Sequence, residues 1–267
     1  MIELSFPGSA TDPGFSVRRF DIDEGLSTPF TLTLLAASPD PDLDFALIVG
    51  AEARFRLDRG LLGARTWSGI CASVTQVEAV PSGESVYALR LVPSLWLLSQ
   101  RRNHRIFQQI TAPALAVALL REWGIEATLR LDEASFPRLA YRAQRGESDL
   151  AFLSRLLEDA GVSYFFEEQE GESRLVLASA PEHAEPRAGA LSYAAQLDPA
   201  GAQATLAELH LSGAMRPGAV VLGDFDFERP LYQPAYRAVS AGPGEAALER
   251  FRYAPGVAMI GADPSEI

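Results

Sequence analysis

VYALRLVPSLWLLSQRRNHRIFQQITAPALAVALLREWGI (Val86–Ile125) and, after a short gap, YRAQRGESDLAFLSRLLEDAGVSYFF (Tyr141–Phe166) are the stretches that decide how this chain folds. Tyr87, Leu89 and Leu91 alternate with smaller or charged neighbours, the period of a half-buried strand, and LWLL (Leu95–Leu98) also reads as strand. The period then changes. Thr111 is placed to cap a helix whose first turn accepts Pro113. Leu115, Ala118, Leu119 and Trp123 fall on one helical face, and Gly124 stands where a helix stops. A second helix is expected to open at Ser148, with Asp149 favourable in its first turn. Leu150, Leu153, Leu156, Leu157 and Ala160 form its apolar stripe, and Gly161 ends it. Val162–Glu168 and Arg174–Ala178 then read as a hairpin across Gly171.

Working outward, the flanks have period two. Phe15–Glu24 reads as a strand whose phase slips at Arg18–Arg19, the mark of a bulge. Phe30, Leu32 and Leu34 alternate with Thr31 and Thr33. Ala51, Ala53, Phe55 and Leu57 face away from Glu52, Arg54, Arg56 and Asp58. Gly60 and Gly63 break that strand, Trp67–Val80 supplies another, and Pro81–Gly83 turns the chain into Val86–Val92. Strands joined by short turns make an antiparallel meander, which closes into a barrel to hide its edges. Pro181–Gly201, rich in Ala, Pro and Gly, reads as a linker. Strands are expected again at Ala207–Ser212, Ala219–Asp226 and Ala235–Ala241, and the end, RYAPGVAMIGADPSEI, offers little to pack.

Composition narrows the class. At 267 residues with 48% apolar residues and a mean hydropathy of +0.04, the chain reads as a soluble globular protein with at least one full core. No apolar run reaches the roughly 20 residues a membrane span needs, and the N-terminus lacks the pattern of a secretory signal. One cysteine excludes an internal disulfide. The cytoplasm is therefore the expected site of folding and assembly. A net charge of -12 argues against nucleic acid as a partner, which needs a basic face.

Residues that carry chemistry are few. His104, His183 and His210 lie far apart and outside any metal-ligand spacing, so no metal and no cofactor is expected. Cys71, in an apolar strand, reads as a buried structural thiol. Ser148 lacks the G-x-S-x-G elbow of a hydrolase and reads as a cap. Glu158 and Asp159 are adjacent and diverge on a helix, so they are not a catalytic pair. The aromatics Phe107, Phe152, Tyr164 and Phe166 fit the core by their phase. The densest local feature is the basic group Arg101, Arg102, His104 and Arg105. Arg101, Arg102 and Arg105 are the candidate interface residues, meeting an acidic partner or a neighbouring subunit; the alternative is internal pairing with this chain's many carboxylates.

At the pivot the residues resemble a known family. LVPSLWLLSQRRNHRIFQ, ESDLAFLSRLLEDAGVSYFF, GDFDFERP and RYAPG are similar to the N-terminal hub region of VgrG, the type VI secretion spike protein. LSTPFTLTLLAAS and WSGICASV look like the same family's first barrel. The resemblance runs in order from about Phe15 to about Gly256. One departure is that Gln144 is followed by Arg145, where the family has an aromatic residue in its QY-x-E-[ST]-D segment. Another is that the chain stops soon after RYAPG, before the family's second barrel is complete and before its OB-fold and β-helical needle.

The resemblance implies a mainly β fold with some α (α+β): two tube-type β-barrels flanking a helix-containing middle domain, as in a phage baseplate hub. The corresponding divisions are 1–100 for the first barrel, 101–182 for the middle domain, and 183–267 for the linker and a partial second barrel. It also implies a structural protein without enzymatic activity. The expected assembly is a homotrimer docked on a hexameric Hcp tube, bound to baseplate and to effector or adaptor proteins, and delivered out of the cell by the contractile apparatus. The alternatives are the hub of a contractile phage tail, a β-barrel enzyme with two carboxylates about 5–9 Å apart, and a binding module using a barrel mouth.

Overall fold

A strand that places Phe30, Leu32 and Leu34 on one face and threonines on the other can only sit half-buried, and the first layer is built around it. The computed structural model describes residues 1–7, 13–58, 63–79, 83–181, 192–193, 205–206, 208–225, 231, 235–239, 242, 244–245 and 247–253. Strands β1 (Ile2–Ser5), β2 (Ser16–Gly25), β3 (Thr28–Ser38), β4 (Glu52–Asp58), β5 (Ala64–Glu78) and β6 (Ser85–Val92) form one antiparallel sheet in the order β1–β4–β5–β6–β3–β2. Register shifts at Val17/Arg19 in β2 and at Cys71/Ser73 and Gln76/Glu78 in β5 bend these strands, because a bulge adds local twist. The sheet curls until its edge strands, β1 and β2, lie against each other. Inside are Phe30, Leu32, Leu34, Phe55, Tyr87, Leu89 and Leu91, all buried, while Leu57 is half-buried at the rim. Gly69 is demanded by packing. A Cβ there would come within 2.0 Å of the Val92 carbonyl oxygen, so β5 could not pass the end of β6 with any side chain at that point.

The second layer begins where β6 ends. Pro93 cannot donate to a ladder, and the next residues close i→i+3 bonds instead, from Trp96 N–H to the Pro93 carbonyl and from Gln100 N–H to the Leu97 carbonyl. LWLL is therefore a 3-10 turn (Ser94–Ser99) and not the strand expected from its apolarity; Leu95 and Leu98, three apart, share its buried side. Then come β7 (Arg102–Ile110), α1 (Ala112–Arg121), β8 (Ala127–Arg130), β9 (Leu139–Ser148), α2 (Asp149–Asp159), β10 (Ser163–Gln169) and β11 (Glu172–Ala178). Both expected helix starts are capped, with Thr111 Oγ1 accepting from Ala114 N–H and Ser148 Oγ from Ala151 N–H. The buried side of α1 is Leu115, Ala116, Leu119 and Leu120; Ala118, expected on it, faces outward. On α2, Phe152, Leu153, Leu156 and Leu157 are buried, with Leu150 half-buried beside them. Strand β7 pairs with β9 as a two-stranded ribbon, and β10–β11–β8 is a three-stranded sheet.

Among the remaining described residues, β12 (Ser192–Tyr193) and β13 (Thr205–Leu206) pair, and β14 (Ala219–Gly223) joins β15 (Ala235–Val239) and β16 (Glu249–Tyr253) in a small sheet. The strand expected at Ala207–Ser212 is not there: Glu208–Ser212 pairs with nothing in a ladder and is exposed. Arg252 and Tyr253, from the end expected to offer little to pack, close β16 and are exposed. The linker Pro181–Gly201, apart from Pro181 and β12, and the turn residues Pro81 and Ser82 lie outside the described residues.

The two cores meet at the β10–β11 hairpin. Ser27 N–H donates to the Tyr164 carbonyl at 2.7 Å, and Ser68 and Ser173 each donate a backbone N–H to the other's hydroxyl, at 3.0 and 2.7 Å. Thr66 N–H reaches Glu168 and Arg54 reaches Glu172. Phe166 packs against both cores and meets Phe30 edge-on at 5.1 Å. Replacing Leu32, fully buried in the first core, by Ala is expected to cost about 2–5 kcal/mol. Thr33→Ala, on the outer face of the same strand, should stay within about 0.5 kcal/mol. Urea unfolding of the two variants checks the strand phase.

Candidate interface on the basic strand

The ribbon of β7 and β9 sorts the candidate arginines by parity, because successive side chains of a strand point to opposite faces. Arg101 and Arg105 lie on the inner side, towards α2, and Arg102 lies on the outer side with His104 and Ile106. The inner pair converges on one carboxylate. Asp149, the first residue of α2, has no solvent exposure. Its Oδ2 accepts from Arg101 Nε at 2.6 Å and Trp123 Nε1 at 3.3 Å, and its Oδ1 accepts from Gln144 Nε2 at 2.8 Å and Arg105 Nη2 at 3.0 Å. Its own N–H donates to the Arg101 carbonyl at 2.9 Å. Glu122 closes the network from outside, accepting from Arg101 Nη2 and from Arg105 Nη1 at 2.9 and 3.0 Å. Arg105 Nε also donates to Gln144 Oε1, and the Arg101 guanidinium lies 4.7 Å from the Trp123 ring centre.

Burial alone pushes the Asp149 carboxyl upward. The hydrogen bonds from Gln144, Arg101 and Trp123, with the charge of Arg105, outweigh it and hold the group below the ordinary aspartate range. Two arginines and two carboxylates thus balance inside the fold, so this part of the basic group performs an internal task. A carboxylate with every oxygen occupied by donors has no lone pair to offer as a base; the arrangement fixes positions. Sequence reading placed Asp149 only as a helix-start charge, Trp123 on the apolar face of the first helix and Gln144 in the family's QY-x-E-[ST]-D segment, and gave none of them, nor Glu122, a part in a buried network. The available signal was the spacing of Arg101 and Arg105, four apart on one strand face.

The outer face is different. Arg102, His104 and Arg145 are exposed and carry no ion pair among the described residues, and beyond them along the same face stand Ile106, 70% exposed, and Tyr141, 42% exposed. The His104 ring lies over Gly146, whose Cβ, if present, would fall 3.0 Å from Nε2; Gly146 also has φ +73°. This face therefore offers two arginines beside an apolar stretch.

The other residues singled out by sequence do not converge. His104 and His210 sit apart, His210 near Glu208 at 2.8 Å, and His183 lies outside the described residues. Among the described residues, no three His, Cys, Asp or Glu side chains are grouped to hold a metal. Burial raises the Cys71 thiol to about 11, and its Sγ lies 3.5 Å from the Ser73 carbonyl. Ser148 caps α2.

Residues 23–265 match the family model of the phage tail baseplate hub (GPD). The type VI secretion system spike protein VgrG4b of Pseudomonas aeruginosa is 29% identical over 257 residues, covering 94% of this chain and 31% of the relative. The chain thus spans about a third of the length of that relative. Among solved structures, the E. coli c3393 protein, a type VI secretion component with similarity to the T4 tail proteins gp27 and gp5, gives a TM-score of 0.63 at 25% identity, over 72% of this chain and 52% of that one. A tail protein from Neisseria meningitidis shares the fold over 95% of this chain and 70% of its own, with a TM-score of 0.61 at 14% identity.

The buried network sets an acid limit on stability. Because the folded Asp149 is held below its ordinary value, its contribution is complete above about pH 4 and is lost as pH falls through the lower folded-state value. Asp149→Asn should cost roughly 3–5 kcal/mol at pH 7 and flatten that acid limb. Urea unfolding between pH 7 and pH 2 measures both effects; an unchanged acid limb in the variant would remove Asp149 from this role.

Proposed function

The chain belongs to the phage tail baseplate hub family, and from that premise we propose that it is a structural hub piece of a contractile injection apparatus of the type VI secretion kind. The observation that carries the reading is the family match over residues 23–265, together with similarity to spike proteins across almost the whole chain. The buried network supports a structural role. Asp149, the only fully buried acid among the described residues, is saturated with donors and positions a ribbon and a helix. We take the protein to have no catalytic activity.

In this proposal three copies surround the particle axis. Two tube-type units per chain would give six docking positions for a hexameric Hcp-type tube, which reconciles the two symmetries. Baseplate proteins and an effector or adaptor complete the assembly, which forms in the cytoplasm and is then carried out of the cell. Of the three candidate arginines, Arg102 makes the contact, with His104 and Arg145 and the adjoining Ile106 and Tyr141, while Arg101 and Arg105 act by holding the ribbon in place. The partner face is acidic, as on a second copy of a chain whose net charge is -12. A second reading, the hub of a contractile phage tail, has behind it the fold shared with the Neisseria tail protein.

Analytical ultracentrifugation tests the proposal. The 267-residue chain should self-associate weakly and with concentration, and the same region within a full-length spike protein should form a trimer that binds the tube protein. Reversing Arg102 and Arg145 to Glu should weaken association at least about tenfold, more so at low salt, with the unfolding midpoint unchanged. A monomer at every concentration in both forms, tube protein included, would contradict it.

A further inference from the structure

The outer face of the β7–β9 ribbon is complementary in chemistry to one loop of this same chain. Between β3 and β4 the sequence reads DPDLDFALIV (Asp40–Val49). Asp40, Asp42 and Asp44 are exposed there, and none carries an ion pair among the described residues. Asp40 Oδ1 accepts from Asp42 N–H and Asp44 Oδ1 from Ala46 N–H, both at 2.9 Å; these turn contacts leave the charges unanswered. Directly after the acids stand Phe45, Leu47 and Val49, all exposed, Leu47 to 58%. The loop is nevertheless fixed in place. Tyr87 Oη donates to the Asp40 carbonyl at 2.7 Å and Gln76 Nε2 to the Pro41 carbonyl at 2.9 Å. The space beneath is filled by Leu43 and the buried Ile48, so the outward side chains stay outward. Large exposed apolar side chains beside uncompensated charge suit a contact surface.

The two surfaces also match in order. On the ribbon, Arg102 and Arg145 stand at one end and Ile106 and Tyr141 follow along it. In the loop the acids come first and the apolar residues second. We infer that the occupant of the ribbon face is the Asp40–Val49 loop of a second copy of this chain, its aspartates on Arg102 and Arg145 and its apolar end on Ile106 and Tyr141. This names the partner of the contact proposed for Arg102 and rests on that reading. The two faces differ, so the contact runs head to tail, and repeating it either closes a ring or grows a filament. Copies with a net charge of -12 repel one another in most orientations. Opposite local charge at this one contact selects the orientation in which they associate.

Sedimentation equilibrium of the 267-residue chain tests this with two variants, one carrying Arg102→Glu and Arg145→Glu, the other Asp40→Arg and Asp42→Arg. Each alone should self-associate at least about tenfold more weakly than wild type. An equimolar mixture should recover the wild-type affinity to within about threefold, because each reversed face then meets opposite charge on the other variant. Thermal unfolding shows whether both variants are folded. If either is not, Ile106→Ser and Leu47→Ser decide, each expected to weaken association at least about tenfold, and wild-type association by either would overturn the inference. A mixture as weak as its components, or a loop variant that associates like wild type, would overturn it and leave the hub reading standing. Ribbon reversal that abolishes tube binding with self-association unchanged would assign the ribbon to the tube protein and overturn it too. A wild-type chain still monomeric at about 1 mM would also overturn it. The hub reading itself falls only if the region, within a full-length spike protein, neither trimerises nor binds the tube protein.

Discussion

A carboxylate taken wholly out of water must be surrounded by donors or it will not stay charged, and the middle of this molecule is arranged to meet that demand for Asp149. Its four donors come from four places in the chain: Arg101 just ahead of β7, Arg105 within β7, Trp123 after α1, and Gln144 in β9. Because each donor is fixed by its own element, the carboxylate locks the ribbon, both helices and the end of α1 into one geometry. The balance is close to neutral, since Glu122 answers the second arginine from outside. Such a network gives little net stability against an apolar replacement, but losing one member leaves a buried charge unpaired. Its effect is to allow one arrangement only.

That arrangement is transmitted to the curled sheet by the β10–β11 hairpin. The seam is short and largely polar, with paired Ser68 and Ser173 hydroxyls, backbone bonds at Ser27 and Tyr164, and a charged contact from Arg54 to Glu172. Phe166 adds the apolar pin, touching both cores. Polar contacts are directional, so a seam built from them sets an angle between the two cores as well as holding them together. A hub that must present surfaces at fixed positions around an axis needs such a device.

Most of the fold was legible in the sequence because it follows from period and punctuation. The Phe30–Leu34 strand, the bulge near Arg18–Arg19, the caps Thr111 and Ser148 and the hairpin across Gly171 each leave a local mark. What failed were places where local apolarity was ambiguous. LWLL serves a 3-10 turn as well as a strand, and only the missing N–H of Pro93 and the spacing of Leu95 and Leu98 decide it. Ala118 is small enough to sit on either side of α1. The candidate interface was half legible. A run of basic residues is visible in sequence, but its division into inner and outer sets needs the strand parity and the position of Asp149, which lies 48 residues from Arg101.

Strand parity thus divides one basic cluster into two tasks. Arg101 and Arg105 are used to build the ribbon, and Arg102, His104 and Arg145 remain on its outer surface, followed along it by Ile106 and Tyr141. An exposed isoleucine next to two arginines that carry no ion pair among the described residues, on a chain of opposite overall charge, is a surface suited to a partner. The direct measurement is a cryo-electron-microscopy reconstruction of a full-length spike protein carrying this hub region, assembled with its tube protein. The account predicts three copies coaxial with the tube and the outer face of the β7–β9 ribbon covered by protein, with Arg102 and Arg145 against acidic side chains. Copies absent from the end of the tube, or a ribbon face open to solvent in every copy, would contradict it.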